Sequence, residues 1–297
     1  MSRKFNLIVD SCCDLPAELL NREGVAVLNF TYNLDDEDHV DDFFASISAH
    51  DFYESMRFGA APHTSQVVPL VIRQLLESYV DSELPTLFLC FSSGLSGTFD
   101  GALTVAEQLV KEHPGADIRV MDTKLASIAE GNAVLEAVAL QEQGATIDQM
   151  EAWMRSVWER HVCLFMVDDL EALSRGGRIP STVASIGSVL DVKPMLSIAP
   201  DGTLSMAGVS RGRKKGIKTI LNIFLKNLTE EERQGARVIV GHADCPDDAQ
   251  KLKELVCKSA PEEHVLVSNI GPVIGSHVGP GMLALSILKP AAKMKVL

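Results

Sequence analysis

Three short segments of this chain combine hydroxyl, imidazole and glycine residues in patterns that could bind a ligand. The first is the run Phe91–Thr98, which lies between an apolar strand-like segment and a helix-like segment. Unpaired backbone N–H groups at the start of a helix, surrounded by small hydroxyls, are typical of an anion-binding loop. Ordinary helix capping needs only one such residue. We therefore favour anion binding for this run, whose candidate residues are Ser92, Ser93, Gly94 and Ser96.

The other two segments present a threonine and a histidine. Thr64–Gln66 precedes a helix-like segment, and here helix capping and ligand binding explain the sequence equally well. Gly271–Gly281 holds His277 among four glycines and two prolines. We expect no helix or central strand in this segment, because proline lacks a backbone N–H. A histidine on a turn between a strand and the helix-like run Met282–Leu288 lies where open α/β sheets bind ligands, although a solvated histidine is the plain alternative.

The same residue types also allow a serine hydrolase, which needs a nucleophile, a histidine base and an orienting acid. Ser93 or Ser96 could be the nucleophile, with His277 as the base. Asp10 or Asp122 could orient the histidine. The serine run lacks the G-x-S-x-G spacing of a nucleophile elbow, however. No G-x-G-x-x-G opens a helix after a strand, which argues against a dinucleotide enzyme. A hydrolase therefore stays the alternative interpretation.

The composition limits the partners that this chain can have. Its 297 residues carry a formal net charge of -13, which argues against nucleic acid and anionic membranes as standing partners. The six cysteines form no C-x-x-C pair, so we expect a reducing, cytoplasmic location and no metal site. The acidic run Asp35–Asp42 lacks the spacing of a calcium loop and is expected to be a solvated surface loop. No run is apolar for long enough to insert stably in a membrane.

The order of the apolar runs predicts an α/β protein with two domains. Strand-like and helix-like segments alternate through residues 1–159, which predicts a parallel sheet with right-handed crossovers. In residues 160–297, Pro200–Gly202 separates two strand-like runs and contains the Asp-Gly pair of a hairpin turn, so we expect a mixed sheet there. Further expected helices include Asp42–Arg57, Val68–Val80 and Thr182–Leu190.

Several segments, spread along nearly the whole chain, together resemble a known family. They are Ile8–Ser11, Asp14–Pro16, Thr64–Gln66, Ser92–Phe99, Leu173–Ile179, Lys193–Pro194, Arg211 with its basic neighbours, and Gly271–Gly281. In this order they resemble the DegV family, the fatty-acid-binding proteins that include the binding subunit of bacterial fatty acid kinase. One departure is Val67, where the family usually has proline after Thr-Ser-Gln.

The resemblance implies how the chain would hold a ligand. It implies a long acyl chain buried between the two domains, with its carboxylate held by hydroxyls and an imidazole. It implies no catalytic residue in this chain and no cofactor, only the bound fatty acid. The residues implied to contact the carboxylate are Thr64, Ser92, Ser93 and His277, with Ser65, Ser96 and Gly94 as secondary contacts.

The resemblance also implies a protein partner. A separate ATP-dependent kinase subunit would phosphorylate the carboxylate of the bound acid to an acyl phosphate. Arg175 and Arg178 flank a Gly-Gly turn in an otherwise acidic chain, and Arg211 begins a second basic run. Each could be solvated surface charge, but the resemblance implies that all three face the kinase. The expected function is therefore a non-catalytic carrier in phospholipid metabolism that presents a fatty acid to a kinase.

Overall fold

The structure, a computed structural model, describes residues 3–179 and 191–290. The expected helix Thr182–Leu190 lies outside these ranges. The described strands are Asn6–Asp10 (β1), Ala26–Leu28 (β2), Thr31–Leu34 (β3), Glu37–Val40 (β4), His63–Thr64 (β5), Thr86–Cys90 (β6), Ile118–Asp122 (β7), His161–Met166 (β8), Val192–Ile198 (β9), Leu204–Arg211 (β10), Arg237–His242 (β11), Val265–Asn269 (β12) and Leu283–Leu288 (β13). The described α-helices are Ala17–Arg22 (α1), Ala49–Arg57 (α2), Pro69–Glu77 (α3), Thr98–Glu112 (α4), Ile128–Glu142 (α5), Ile147–Arg160 (α6), Glu171–Arg175 (α7), Arg213–Asn227 (α8), Glu230–Gly235 (α9), Pro246–Val256 (α10) and Pro272–Val278 (α11).

The first sheet is parallel and has the order β2-β1-β6-β7. Its strand β6 is buried at every residue, as expected for a parallel strand that is covered on both faces. The loops that follow β1 and β6 meet at one edge of the sheet, where Asp10 accepts a hydrogen bond from the backbone N–H of Phe91 at 2.7 Å. The predicted parallel α/β sheet is therefore confirmed, and it brings the serine run to this edge.

The second sheet is mixed and has the order β10-β9-β8-β13-β11-β12. Four of its neighbouring pairs are antiparallel, and β11 and β12 are parallel. The strands β9 and β10 pair around the turn Pro200–Gly202, and Gly202 has a φ of +87°, which favours glycine. The predicted hairpin and mixed sheet are both confirmed. The sheet type changes after α6, near the expected division between residues 159 and 160, which stays a prediction.

The segment around His277 differs from its prediction. Pro272–Val278 is a short helix, and His277 lies in its last turn. Proline occupies the first helical position, where a backbone N–H would be unpaired in any case. The run Met282–Leu288 is mainly strand β13, not a helix, and β13 pairs with β8 and β11. A short apolar run has no periodicity that separates strand from helix, so pairing within the sheet decides.

A small antiparallel sheet, with the order β4-β3-β5, was not predicted. Asp35 and Asp36 have positive φ and form the turn between β3 and β4. The acidic run is therefore largely a hairpin and not an irregular loop. Helix α2 begins later than expected, because Ser48 caps it: Ser48 Oγ accepts a hydrogen bond from the backbone N–H of Asp51 at 3.0 Å.

Helix α5 lies between the two larger sheets. Ten of its 15 residues are buried, and it packs against β11, β13 and the 3-10 turn Ser11–Cys13 that follows β1. One apolar core therefore continues from the parallel sheet to the inner face of the mixed sheet, while a second core fills the outer face under α8 and α10. None of the described helices combines the length and the hydropathy that crossing a bilayer requires.

Candidate ligand-binding site

A cavity lies between the loops that follow the parallel strands and the inner face of the mixed sheet. It is narrow, because the centre of a water molecule can occupy only about 70 Å³ of it. Most of its wall is apolar. Alternate residues of β8 face it, because side chains on one face of a strand are two positions apart. The apolar wall includes Phe91, Ile128, Cys163, Phe165, Ile198 and Ala284.

The polar residues of the wall meet at one end of this cavity. Thr64 Oγ1 and His277 Nε2 share a hydrogen bond of 2.8 Å. Arg178 is half-buried, and its guanidinium donates from Nε to the carbonyl of Leu95 at 3.2 Å and from Nη1 to the carbonyl of Gly176. Gly176 lies against the imidazole, since a Cβ at this position would overlap His277 Nδ1. We call Thr64, His277 and Arg178 the polar end of the cavity.

The imidazole of His277 is neutral at pH 7. Burial, and then the positive charges of Arg178 and Arg175, lower the pKa of His277 to about 4. Nδ1 is buried and has no hydrogen-bond partner within the described part of the chain. An N–H at this position would be buried without an acceptor, so we assign the proton to Nε2. Nε2 then donates to Thr64 Oγ1, and the hydroxyl hydrogen of Thr64 is left to donate into the cavity.

Arg178 is a cavity residue that sequence analysis placed on the outer surface. Among the described lining residues it is the one lysine or arginine. Gly177, with a φ of +71°, turns the chain back so that Arg178 reaches Leu95. The sequence predicts a Gly-Gly turn on the surface, and only the contact between sequence-distant segments shows that it leads inward. Arg178 is therefore half-buried at the cavity and not fully exposed, and its docking role stays a prediction.

The structure separates two serines of the run Phe91–Thr98, Ser92 and Ser93, from the cavity. Ser92 is buried, and its Oγ donates to the carbonyl of Gly202 at 2.8 Å. Ser93 is exposed, and its Oγ donates to Asp122 Oδ2 at 2.5 Å. Neither serine lines the cavity. The sequence-based prediction that they bind the carboxylate is untested, but their hydroxyls already have protein partners, so we expect the carboxylate at the polar end instead.

The three secondary contacts also have different positions. Ser65 and Ser96 both line the cavity. Ser96 Oγ accepts a hydrogen bond from the backbone N–H of Thr98 at 3.2 Å, at the first residue of α4. Gly94 lies outside the wall and passes close to the hairpin turn, because a Cβ there would be 2.7 Å from the carbonyl carbon of Gly202. This close approach joins the serine run to the mixed sheet.

Ser127 is a cavity residue that sequence analysis did not name. Its Oγ donates to the carboxyl of Asp14, whose other oxygen accepts the backbone N–H of Gly271 at 2.9 Å. Burial raises the pKa of Asp14 well above its usual range. Asp14 therefore connects the start of α5 with the start of the helix that carries His277. No local pattern could have revealed Ser127, because its partner is distant in sequence.

The other two arginines expected to face a partner lie on the surface. Arg175 is exposed and forms a loose ion pair with Glu171, whose Oε1 lies 3.6 Å from Arg175 Nη1. Arg211 is exposed at the end of β10. Their docking role stays a prediction.

The geometry does not assemble a hydrolase. Within the described residues, neither Ser93 nor Ser96 forms a hydrogen bond with His277, whose partner is Thr64. No described carboxylate contacts His277 Nδ1. The hydrogen-bonded triad of nucleophile, base and orienting acid is therefore not formed.

One group of side chains in the described structure has the spacing of metal ligands, and it lies outside the cavity. His50, Glu54 and Asp244 bring one ligand atom each within 4.8 Å of one another. Arg57 Nη1 lies 3.0 Å from Glu54 Oε2 and also pairs with Asp244. A guanidinium therefore already neutralises both carboxylates, and this arrangement does not favour a metal ion.

The fold and the site define a class of protein: an α/β protein with an apolar cavity, polar at one end, between a parallel and a mixed sheet. The model of the DegV family, whose members it describes as uncharacterised, matches residues 4–290. A DegV domain-containing protein of Clostridium perfringens is 35% identical over 286 residues, which are 96% of this chain and 98% of the relative. This chain belongs to the DegV family.

Solved structures of two relatives share the fold. A DegV family protein from Thermus thermophilus, described by its fatty acid binding, has a TM-score of 0.85 and 32% identity, and covers 97% of this chain and 100% of its own. DegV from Bacillus subtilis, described as a fatty acid binding protein, has a TM-score of 0.82 and 26% identity, with coverage of 97% and 100%. These similarities confirm the predicted fold class.

Proposed function

We propose that this protein binds one long-chain fatty acid, buries its acyl chain in the cavity and holds its carboxylate at the polar end. The observation that carries the proposal is the form of the cavity, a largely apolar space whose hydrogen-bond donors and positive charge gather at one end. An amphipathic anion with a long apolar tail fits that distribution. The two relatives described as binding fatty acids support the same ligand class.

The acyl chain and the carboxylate of the ligand contribute to binding in different ways. Each methylene buried in the cavity stabilises the complex by ~0.8 kcal/mol, so the acyl chain supplies most of the affinity. At the polar end, the Thr64 hydroxyl and the Arg178 guanidinium are the donors that can meet a carboxylate, and hydrogen bonds to charged groups contribute ~1.5–3 kcal/mol each. Neutral His277 orients the Thr64 hydroxyl by donating to its oxygen. The head group therefore determines the direction in which the acid lies.

Native mass spectrometry of the purified protein tests the ligand. We expect one long-chain fatty acid per chain, retained through purification because its tail is enclosed. After delipidation, titration with long-chain acids should restore the complex. Delipidated protein that binds no common long-chain acid would contradict the proposal.

We further propose that the protein presents the carboxylate to a separate ATP-dependent kinase and does not transform the acid itself. Two features support this. The described residues near the polar end contain no assembled nucleophile and base, and Arg175 and Arg211 expose positive charge on a chain whose net charge is -13. Exposed cations of this kind suit an acidic partner surface and raise the rate of encounter.

The assay for this role mixes loaded protein, ATP and a candidate kinase, and follows the acyl phosphate. Product should appear only when all three are present, and the protein alone should turn over neither ATP nor acyl esters. Arg175→Ala should lower the coupled rate and leave the fatty acid affinity unchanged. Ester hydrolysis by the protein alone, lost in Ser93→Ala or Ser96→Ala, would favour the hydrolase instead.

A further inference from the structure

A buried pair of polar side chains, Asn132 and Ser286, lies beyond the apolar wall of the cavity. Asn132 Nδ2 donates to Ser286 Oγ at 2.8 Å, and both side chains have 0% exposure. Asn132 Oδ1 is buried and has no hydrogen-bond partner among residues 3–179 and 191–290. Asn132 also lines a second pocket, together with Arg237, Glu263 and His264. A buried polar atom without a partner is unfavourable, so its position needs a reason.

The pairing register of the strands places this pair directly behind residues that line the cavity. Ala284 lines the cavity, and Ser286 follows two residues later on the same face of β13. Cys163 of β8, which also lines the cavity, is the register partner of Ser286. On α5, Ile128 lines the cavity, and Asn132 follows four residues later on the same face of the helix. Two strands and a helix therefore lead from the cavity to the pair.

This direction points away from the polar end. Strand β13 begins shortly after the helix that carries His277, so Ser286 lies further from that helix than Ala284 does. Strand β8 ends on the side of α7 and Arg178, so Cys163 lies further from Arg178 than Phe165 does. A fatty acid with its carboxylate at the polar end would direct its methyl end toward the pair.

We infer that the Asn132–Ser286 pair is the end stop of the cavity and determines the longest acyl chain that fits. The inference rests on the proposed function. A chain that extended further would have to break the hydrogen bond of the pair and cover Asn132 Oδ1 with hydrocarbon, and both changes are unfavourable. Affinity should therefore rise about four-fold per added methylene, the equivalent of ~0.8 kcal/mol, until the chain reaches the pair, and then fall.

The test measures the affinity of the delipidated protein for saturated fatty acids of increasing length. The double variant Asn132→Ala with Ser286→Ala removes both polar groups and opens the space of the amide. Its best acid should be about two carbons longer than that of the parent protein, and its affinity for that longer acid should exceed the parent's at least ten-fold. Where the double variant is unstable, Asn132→Ser opens less space, and its best acid should be about one carbon longer.

Two further variants serve as controls. Asn132→Leu with Ser286→Ala refills the space, and its best acid should have the parent length. Gln141 is a buried amide further along α5 whose Nε2 donates to the carbonyl of Phe5 at 2.7 Å. Since Gln141 does not line the cavity, Gln141→Ala should lower stability and keep the length profile.

The outcomes separate this inference from the proposed function. An unchanged best length in a folded double variant, or an equal shift in Gln141→Ala, would overturn the end stop while fatty acid binding stands. Failure of the parent protein to bind any acid would overturn the proposed function itself. The inference is supported if the best-bound acid becomes longer only in the variants that open space, which are Asn132→Ala with Ser286→Ala and Asn132→Ser.

Discussion

The three residues of the polar end offer a carboxylate neutral hydrogen-bond donors and one positive charge. Thr64 and His277 form a neutral pair, because burial keeps the imidazole unprotonated at pH 7. Arg178 supplies a guanidinium that is half-buried, where charge interactions are screened less than in water. The sequence predicts that hydroxyls and an imidazole hold the anion without a cation. The position of Arg178 adds a charge-assisted contact to that set.

The first prediction compares His277 with Ser93. His277→Ala removes the donor that orients the Thr64 hydroxyl, so fatty acid affinity should fall by about 1–3 kcal/mol, the cost of a lost hydrogen bond in a buried site. Ser93→Ala should bind like the parent protein, because Ser93 Oγ is bonded to Asp122 and does not line the cavity. Titration of both delipidated variants measures the difference. Equal losses of fatty acid affinity in the two variants would show that the serine run is part of the binding site.

The second prediction compares two arginines near the same imidazole. Arg178→Gln should weaken fatty acid binding by about ten-fold or more, since it removes the positive charge that lines the cavity. Arg175→Gln is the matched control, because Arg175 is exposed and does not line the cavity. The affinity of this variant for fatty acid should equal that of the parent protein. If Arg178→Gln binds as tightly as the parent protein, the carboxylate lies elsewhere.

At the scale of elements, the helix Pro272–Val278 is too short to be stable alone, and close contacts fix it. Gly275 admits Tyr53, since a Cβ there would be 2.5 Å from the tyrosine hydroxyl oxygen. That hydroxyl donates to the carbonyl of Ile270 at 2.6 Å. Gly176, at the end of α7, contacts the imidazole of His277 from another side. The direction of the imidazole therefore depends on glycines in two elements that are distant in sequence.

The third prediction concerns the glycine beside the imidazole. Gly176 has an ordinary helical backbone, with a φ of -72°, so alanine strains the site mainly through its contact with His277. Gly176→Ala should displace the ring from Thr64 and weaken fatty acid binding about as much as His277→Ala does. Gly115→Ala is the control, because a Cβ at Gly115 meets nothing within 4 Å. Parent-like affinity in Gly176→Ala would show that the ring can move without loss.

At the scale of the whole molecule, four buried carboxyl groups lie where the parallel sheet, α5 and the His277 helix meet. Burial raises the pKa of Asp10 and Asp41 to about 7, and it raises the pKa of Asp14 and Glu130 well above their usual range. A raised folded-state pKa stabilises the protein fully below the unfolded value and loses that stabilisation as pH rises through the folded value. For Asp10 and Asp41, the loss therefore occurs between about pH 4 and pH 7.

The fourth prediction isolates one of these groups. Asp41→Asn removes a carboxyl that must lose its proton inside the fold, so this variant should gain stability relative to the parent protein as pH rises from 5 to 8. Asp81→Asn is the control, because it removes a carboxyl from an exposed position. Urea unfolding at both pH values measures the two differences. A pH-independent difference between Asp41→Asn and the parent protein would contradict the raised pKa.

The sequence by itself was enough for features that depend on neighbouring residues. The alternation of strands and helices predicted the parallel sheet, and the Asp-Gly pair before Thr203 predicted the hairpin. The segments that hold Thr64 and His277 were identified as ligand-binding candidates from residue types alone. These features are local, because turn chemistry and helix or strand periodicity are set within a few positions of the chain.

Only the tertiary structure decided how those segments meet. Leu283–Leu288 is a strand because partners on both sides complete its hydrogen bonds, and the helix Pro272–Val278 is held in place because Gly275 packs against Tyr53. Arg178 faces the cavity because Leu95, distant in sequence, accepts its hydrogen bond. Ser93 turns away because Asp122 competes for its hydroxyl. Each outcome depends on a contact between segments that are far apart in the chain, and such contacts leave no periodic or compositional trace in the sequence.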